Sequence, residues 1–171
     1  KNAIDLVIET GLALNCDIAA ETKFDRKNYH YPDLMKGYQI SQFDLPIAQN
    51  GSLTINLGDD DKTIRIERIH LEEDVAKLLH RETLNGEKYS LLDINRAGVP
   101  LMEIVTHPDL RSPEEAHEYL INLHSIIQFI EVSTANMEEG SFRCDANIST
   151  RYYGENDYGP KVEIKNVNSF K

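Results

Sequence analysis

The sequence predicts an α+β domain built mainly from antiparallel strands. Two observations favour this class. Several short segments alternate apolar and polar residues, as half-buried strands do, and the segments with helical spacing do not alternate regularly with them. The chain has 171 residues, of which 40% are hydrophobic, and this is sufficient for one hydrophobic core. These features favour a single domain over residues 1–171.

The first half of the chain predicts one helix and one hairpin. Residues 3–16 are mostly apolar and fit a helix. Residues 53–57 and 64–66 alternate apolar with polar side chains, and the run GDDDK between them is typical of a turn. Residues 71–79 fit either a short helix or the end of a strand, and the pattern alone leaves both open.

The second half predicts further strands and one long helix. The segments YSLLDIN and PLMEIV fit strands, and residues 113–131 fit a helix with one apolar face that packs on a sheet. Ser112 is a favourable N-cap, Pro113 suits the first helical position, and Glu115 would complete a capping box. The segment SFRCDANISTR alternates strictly, and KVEIKNV alternates again after a turn with two glycines.

The charge balance and the cysteines narrow the function classes. The chain carries 18 basic and 29 acidic residues, a net charge of −11, which repels a phosphate-rich polymer unless basic residues gather in one patch. This excess of negative charge suits a site that holds cations. Two distant cysteines, Cys16 and Cys144, indicate neither a disulfide framework nor a zinc site, and they fit a reducing, intracellular setting. No apolar run is long enough to span a membrane, so we expect no membrane partner.

Carboxylates recur along the predicted strands. Glu72 follows a strand, Glu103 interrupts an apolar one, and Asp145 and Glu163 lie on polar strand faces. Mg²⁺ binds a few carboxylate oxygens supplied by separate elements, together with water and phosphates. Polar strand faces are also commonly just solvated. We expect Glu103 to be functional because an acid in a buried strand needs a cation or hydrogen-bond donors.

A second candidate is the segment FDRKNYHYPDLMKGYQISQ, which has no clear periodicity. Lys27 lies there among several tyrosines and could meet a phosphate as a point charge. A surface loop with packed tyrosines explains the same residues. The sequence contains no Walker-type or Gly-x-Gly-x-x-Gly motif, so a nucleotide would bind by other means.

Five motifs in order resemble the B subunit of the tRNA-dependent aspartyl/glutamyl-tRNA amidotransferases, the GatB/GatE family. They are KNYHYPDLMKGYQISQFDLPI, RIHLEEDVAKLLH, YSLLDINRAGVPLMEIVTHPDLRSPEEA, MEEGSFRCDANIST and VEIKNVNSF, and they cover nearly the whole chain. In fold, the resemblance implies a glutamine-synthetase-like antiparallel sheet with helices packed on one face. It implies that residues 1–171 are the central part of the catalytic cradle domain, without the N-terminal segment and the tRNA-binding C-terminal domains.

The resemblance also implies an ATP-dependent ligase reaction. The family uses ATP and Mg²⁺ to phosphorylate the side-chain carboxylate of Glu-tRNA(Gln) or Asp-tRNA(Asn). Ammonia from glutamine, hydrolysed in the A subunit, then displaces the phosphate and forms the amide. The implied partners are the A and C subunits and the misacylated tRNA, which binds mainly outside this segment. A bacterial cytoplasmic setting fits, an organellar source is left open, and alone the segment should bind Mg-ATP weakly or not at all.

The resemblance transfers four site residues. Glu72 and Glu103 match the family's metal-binding glutamates, Lys27 matches a lysine associated with nucleotide phosphate, and Tyr158 matches an aromatic associated with the nucleotide. Strand alternation adds further polar-face candidates for the same cavity, namely Arg143, Asp145, Asn147, Glu163 and Lys165. The alternative function is a non-catalytic scaffold module whose carboxylate face contacts partner subunits.

Overall fold

The computed structural model describes residues 1–58, 60–167 and 169, and only the backbone of Asn166. The elements in chain order are α1 (Asn2–Ala13), β1 (Asp17–Ile18), β2 (Asp25–Asn28), β3 (Tyr38–Ser41), β4 (Ala48–Asn56), β5 (Asp61–Glu73), β6 (Lys77–Glu82), β7 (Lys88–Asp93), β8 (Pro100–Thr106), α2 (Pro113–Phe129), β9 (Cys144–Ile148) and β10 (Val162–Val167). They form two units, Lys1–Thr54 with Thr63–Asp109 and Ile55–Lys62 with Leu110–Lys171. The predicted α+β class with mainly antiparallel sheets is confirmed.

A four-stranded sheet organises the first unit, with strand order β1-β4-β5-β8. The neighbouring strands β4 and β5 confirm the predicted hairpin. Strand β8 pairs antiparallel with β5 and forms one edge of the sheet. A bulge between Ile66 and Arg68 gives β5 one extra residue, Glu67, relative to β8. The alternating isoleucines of β5 are fully buried, as half-buried strands require.

Helix α1 and the chain that follows it lie close against the sheet. A Cβ on Gly11 would come within 2.8 Å of the Ile18 side chain and 3.0 Å of the Ala48 side chain. A Cβ on Gly51 of β4 would lie 2.3 Å from the Cys16 sulfur, which leaves no room for any larger residue. Glycine at these two positions therefore allows α1 and the residues that follow it to lie this close to the sheet.

The ribbon formed by β2 and β3 is tied to the end of β5 by buried polar groups. The Gln42 side-chain oxygen accepts a hydrogen bond from the Leu71 N–H at 3.0 Å, and the Gln39 amide donates to the Glu73 carbonyl. The Glu73 carboxylate accepts the Ile40 N–H at 3.1 Å and pairs with Lys36. These contacts explain how a short ribbon, marginal on its own in water, holds one position in the first unit.

Strands β6 and β7 form a separate antiparallel ribbon in the first unit. Within residues 71–79, β5 ends at Glu73 and β6 begins at Lys77. The segment, which the sequence predicts to be either a short helix or the end of a strand, therefore belongs to strands and contains no helix. The ribbon leaves several large apolar side chains exposed, namely Leu84, Tyr89, Leu91 and Leu92.

The second unit contains α2 and the β9–β10 hairpin. The Ser112 hydroxyl accepts the Glu115 N–H at 3.2 Å, which confirms the N-cap, whereas the Glu115 carboxylate accepts the N–H of Arg111 rather than closing a capping box. The apolar face is confirmed because Tyr119, Leu123 and Ile127 are buried at a spacing of four residues. Packing of the helices on one sheet face stays a prediction.

The β9–β10 hairpin confirms the two strands that the alternating segments predict. Glu163 lies opposite Asn147, and Ile164 lies opposite Ala146, so polar residues pair with polar ones and apolar with apolar. No helix within the described part of the chain is both long and apolar enough to cross a membrane.

An ion pair joins β5 to the residues that follow β8. The Asp109 carboxylate accepts the Arg65 N–H at 3.0 Å, its Nε at 2.8 Å and its Nη2 at 2.7 Å. The hydrogen bonds from Arg65 hold the pKa of Asp109 down at about 2, against a smaller opposing effect of burial. A carboxyl with a depressed pKa stabilises the folded state above its unfolded pKa and loses that contribution as the pH falls.

We therefore expect Asp109→Asn to lower the Tm by about 2–6 °C at pH 7. The difference in Tm between the variant and the wild type should shrink between about pH 4, the unfolded pKa of an aspartate, and about pH 2. In this range the wild-type carboxyl becomes protonated and loses its ion pair. Thermal melts followed by circular dichroism across this range measure it. The control Glu21→Gln, at an exposed position, should change the Tm little at any pH, and a pH-independent deficit in Asp109→Asn would contradict the prediction.

Candidate metal centre

The register of β5 against β8 brings three ligand-type side chains together. His70 lies directly opposite Glu103, so the two side chains share one face of the sheet. Glu72 is two residues further along β5, and residues at this spacing also share a face. The group is therefore a direct consequence of one strand pair in the first unit.

The three side chains are close enough to share one cation. His70 Nε2 lies 3.6 Å from Glu103 Oε2 and 3.7 Å from Glu72 Oε2, and all three ligand atoms fall within 4.8 Å of one another. Two ligands at right angles around a small divalent cation are roughly 3 Å apart. A small adjustment of exposed Glu103 would therefore close the group around an ion.

The prediction that Glu103 lies in a buried strand is wrong. Strand β8 is an edge strand, its apolar residues are only half-buried, and the Glu103 side chain is 51% exposed. Its ionised form consequently stays solvated, and burial supplies no argument for a bound cation. What singles out Glu103 is its position opposite His70.

Glu72 is the more buried of the two carboxylates, with 12% of its side chain exposed. Burial alone would raise its pKa, but the adjacent His70 ring, a hydrogen bond from the Ser41 hydroxyl at 3.1 Å and the charge of Lys27 together lower it below the ordinary value. The carboxylate is thus held ionised, as a metal ligand must be. This also places predicted Lys27, which is exposed on β2, within electrostatic reach of the group.

His70 is the residue that the sequence reasoning missed. Only 5% of its side chain is exposed, and its Nδ1 atom is buried without a hydrogen-bond partner among the described residues. The available signal was the pattern His-x-Glu at residues 70–72, because alternate residues of a strand point the same way. That signal could be used only once this segment was known to be strand rather than helix.

The donor set is one imidazole nitrogen and two carboxylate oxygens. Carboxylates suit Mg²⁺, Ca²⁺ and Mn²⁺, whereas imidazole suits transition metals such as Fe²⁺ and Zn²⁺ better than it suits Mg²⁺. The three groups leave most of an octahedral coordination sphere open for water or phosphate oxygens. The arrangement can therefore hold a divalent cation that also binds a phosphorylated ligand.

The remaining predicted site residues belong to the second unit. Tyr158 lies in the segment between β9 and β10, where Arg111 Nη2 donates to its hydroxyl at 3.1 Å. Arg143 directly precedes β9, and the other polar-face candidates lie on the two strands, with the Lys165 ammonium 3.4 Å from the Glu163 carboxylate. The structure places Asp145 and Asn147 on β9. Their convergence with the metal group into one cavity stays a prediction.

Comparison with known proteins finds one family that matches the whole chain. The family model described as the GatB/GatE catalytic domain matches residues 1–171. The B subunits of the aspartyl/glutamyl-tRNA(Asn/Gln) amidotransferases of Dehalococcoides mccartyi strain CBDB1 and of Carboxydothermus hydrogenoformans are 63% and 57% identical over 171 residues, all of this chain. The B subunit from Bacillus cytotoxicus is 58% identical over 170 residues, or 99% of the chain. The chain spans 35–36% of the length of these relatives.

If His70 is a ligand, Mn²⁺ should stabilise the chain through it. At ten times its dissociation constant, a ligand that binds only the folded state raises the Tm of a protein of this size by about 3–6 °C. We expect His70→Gln, Glu72→Gln and Glu103→Gln each to reduce this shift strongly in a thermal melt with and without Mn²⁺.

His80 provides the matched control because it is an exposed histidine of β6 whose Nδ1 is 2.8 Å from the Ser90 hydroxyl. The shift with Mn²⁺ should be unchanged in His80→Gln. An equal shift in wild type and His70→Gln would exclude His70 as a ligand.

Proposed function

This chain belongs to the GatB/GatE catalytic-domain family, and from that premise we propose that it carries the ATP-dependent step of a tRNA-dependent amidotransferase. In this proposal the enzyme is a carbon–nitrogen ligase with glutamine as amido donor. It phosphorylates the side-chain carboxylate of Glu-tRNA(Gln), Asp-tRNA(Asn) or both, and ammonia then gives Gln-tRNA(Gln) or Asn-tRNA(Asn).

The observation that carries the proposal is the grouping of His70, Glu72 and Glu103 on one sheet face. We assign Glu72 and Glu103 as ligands of Mg²⁺, with His70 beside them. When bound, Mg²⁺ would neutralise negative charge on the phosphates of ATP during phosphoryl transfer. Ser41 keeps the Glu72 carboxylate in place through its hydrogen bond, so the site is partly organised before any ligand arrives.

The nucleotide would involve two further residues. Lys27 is exposed on β2 and contributes positive charge near Glu72, which suits a contact to a phosphate. Tyr158 has an aromatic face of the kind on which a base stacks. The polar residues Arg143, Asp145, Asn147 and Lys165 are proposed to bind the nucleotide as well.

The proposed assembly contains the A and C subunits as well as the misacylated tRNA. The relatives are named as the B subunit of an amidotransferase, which supports an assembly of several subunits. The net charge of −11 supports binding of the tRNA mainly by other parts of the full-length protein. The bacterial relatives support a cytoplasmic setting.

One observation favours a scaffold role as the second candidate. The β6–β7 ribbon and its turn expose four large apolar side chains, Leu84, Tyr89, Leu91 and Leu92, and clustered exposed apolar residues often mark contacts between proteins. A scaffold module would use such a surface for contacts between subunits and would not need the metal group.

Replacement of Glu103 by Gln in the assembled heterotrimer distinguishes the two functions. If Glu103 binds the metal that assists phosphoryl transfer, Glu103→Gln should lower the rate of ATP-dependent amide formation by at least about 10²-fold. A metal that is held less well stabilises the negative charge of the transition state less, and the loss of one group that stabilises such charge costs about this much. The measurement is formation of Gln-tRNA(Gln) from Glu-tRNA(Gln) with free ammonia as nitrogen donor, so that glutamine hydrolysis does not limit the rate.

Glu67→Gln is the matched control because Glu67 lies on β5, the strand that pairs with β8, is exposed and pairs with the adjacent Arg68. It should retain the wild-type rate. A normal rate in Glu103→Gln, with the heterotrimer still assembled, would favour the scaffold function and reject the catalytic one.

A further inference from the structure

One face of the β2–β3 ribbon is turned toward the end of β5 that carries Glu72. The Ser41 hydroxyl donates to the Glu72 carboxylate at 3.1 Å, and the Gln39 side-chain amide donates to the Glu73 carbonyl. Ser41 and Gln39 are both buried and lie two residues apart on β3, a spacing at which side chains share one face of a strand. This face of the ribbon therefore lies beside the more buried of the two carboxylates of the metal group.

The register of the ribbon places Lys27 and Tyr29 on this same face. Lys27 lies directly opposite Gln39, so their two side chains share a face. Tyr29 follows two residues later, and its N–H donates to the Gly37 carbonyl at 3.1 Å, which continues the antiparallel pairing beyond β2. The Lys27 Nζ atom lies 5.9 Å from the centre of the Tyr29 ring, so the two side chains are neighbours. Ser41, Lys27 and Tyr29 thus follow one another along the face in steps of about 6–7 Å.

The electrostatic field of Glu72 extends to both side chains. Lys27 lies within electrostatic reach of the Glu72 carboxylate. Burial raises the pKa of Tyr29, and the charges of Asp33 and Glu72 raise it further. The phenol therefore stays protonated at neutral pH and can act as a hydrogen-bond donor.

The two donors are not used by the fold. Tyr29 is half-buried, and within the described part of the chain its hydroxyl has no hydrogen-bond partner. Lys27 is exposed and forms no ion pair with a described carboxylate. An ammonium and a phenol side by side can both donate to negatively charged oxygens, and such hydrogen bonds are stronger than those between neutral groups.

We propose that the Tyr29 hydroxyl donates a hydrogen bond to a phosphate oxygen of the nucleotide, next to the phosphate that Lys27 meets. The inference rests on the proposed function, in which Lys27 and a cation held by Glu72 both meet the nucleotide. Glu72, Lys27 and Tyr29 lie in a row along one face of the ribbon, and a row of sites suits an extended chain of phosphates. The ring of Tyr29 supports Lys27, and its hydroxyl contacts the ligand.

The experiment measures the Kd of Mg-ATP for the assembled heterotrimer by isothermal titration calorimetry, without tRNA or glutamine, so that no amide forms. Tyr29→Phe removes only the hydroxyl and should raise the Kd by about tenfold or more, as expected for one lost hydrogen bond to a charged group. The kcat/KM for ATP in amide formation should fall by a similar factor. The Tm without nucleotide should stay within about 2 °C of the wild type, because the hydroxyl bonds to no described residue.

Tyr38→Phe is the matched control. Tyr38 belongs to the same ribbon but lies on its opposite face, where the guanidinium carbon of Arg26 is 4.6 Å from the centre of its ring. The Kd of Mg-ATP should be unchanged in this variant. Equal weakening in Tyr29→Phe and Tyr38→Phe would overturn the inference, because a disturbance of the whole ribbon would then explain both.

Two further variants separate this inference from the proposed function. An unchanged Kd in Tyr29→Phe, when Glu72→Gln and Lys27→Ala both weaken binding, would overturn the role of Tyr29 alone. A wild-type Kd in all three variants would instead reject the binding of the nucleotide at the metal group, and the role of Tyr29 with it.

Discussion

The candidate metal centre depends on the pairing of β5 with β8. Neither strand carries a complete ligand set, because His70 and Glu72 lie on β5 and Glu103 lies on β8. The group exists only in the register that places His70 opposite Glu103. Ser41 and the ribbon formed by β2 and β3 then fix the end of β5, so the more buried carboxylate is ordered by several elements and the exposed one by a single strand pair.

Two sets of carboxylates in this acidic chain differ in their contacts. Asp109, Glu73 and Glu115 each accept a backbone N–H and pair with an arginine or lysine, and each has a lowered pKa mainly because of that partner. Such carboxylates join segments of the chain. Glu72 and Glu103 differ, since neither lies within ion-pair distance of a lysine or arginine among the described residues. Their remaining ligand positions are available to a cation.

The sequence predicted the regular elements well wherever a local rule was sufficient. Ser112 and Pro113 identified the start of α2 because capping is decided within one turn, and the alternation in residues 141–151 identified β9. Burial could not be predicted in the same way. A strand of apolar residues around Glu103 has the same sequence pattern whether it lies at the edge of a sheet or in its middle. Only the strand order distinguishes the two positions. His70 was missed for a related reason, because its role depends on a strand that is distant in sequence.

The bulge at Glu67 has a consequence for how the protein can change over evolution. It sets the offset between β5 and β8, and side chains alternate between the two sheet faces, so one residue gained or lost within either paired segment would turn Glu103 to the other face. Insertions between β7 and β8, where the chain leaves the ribbon, leave that offset intact. Length variation among descendants of this chain should therefore be tolerated in the connecting loops and eliminated within residues 66–73 and 100–106.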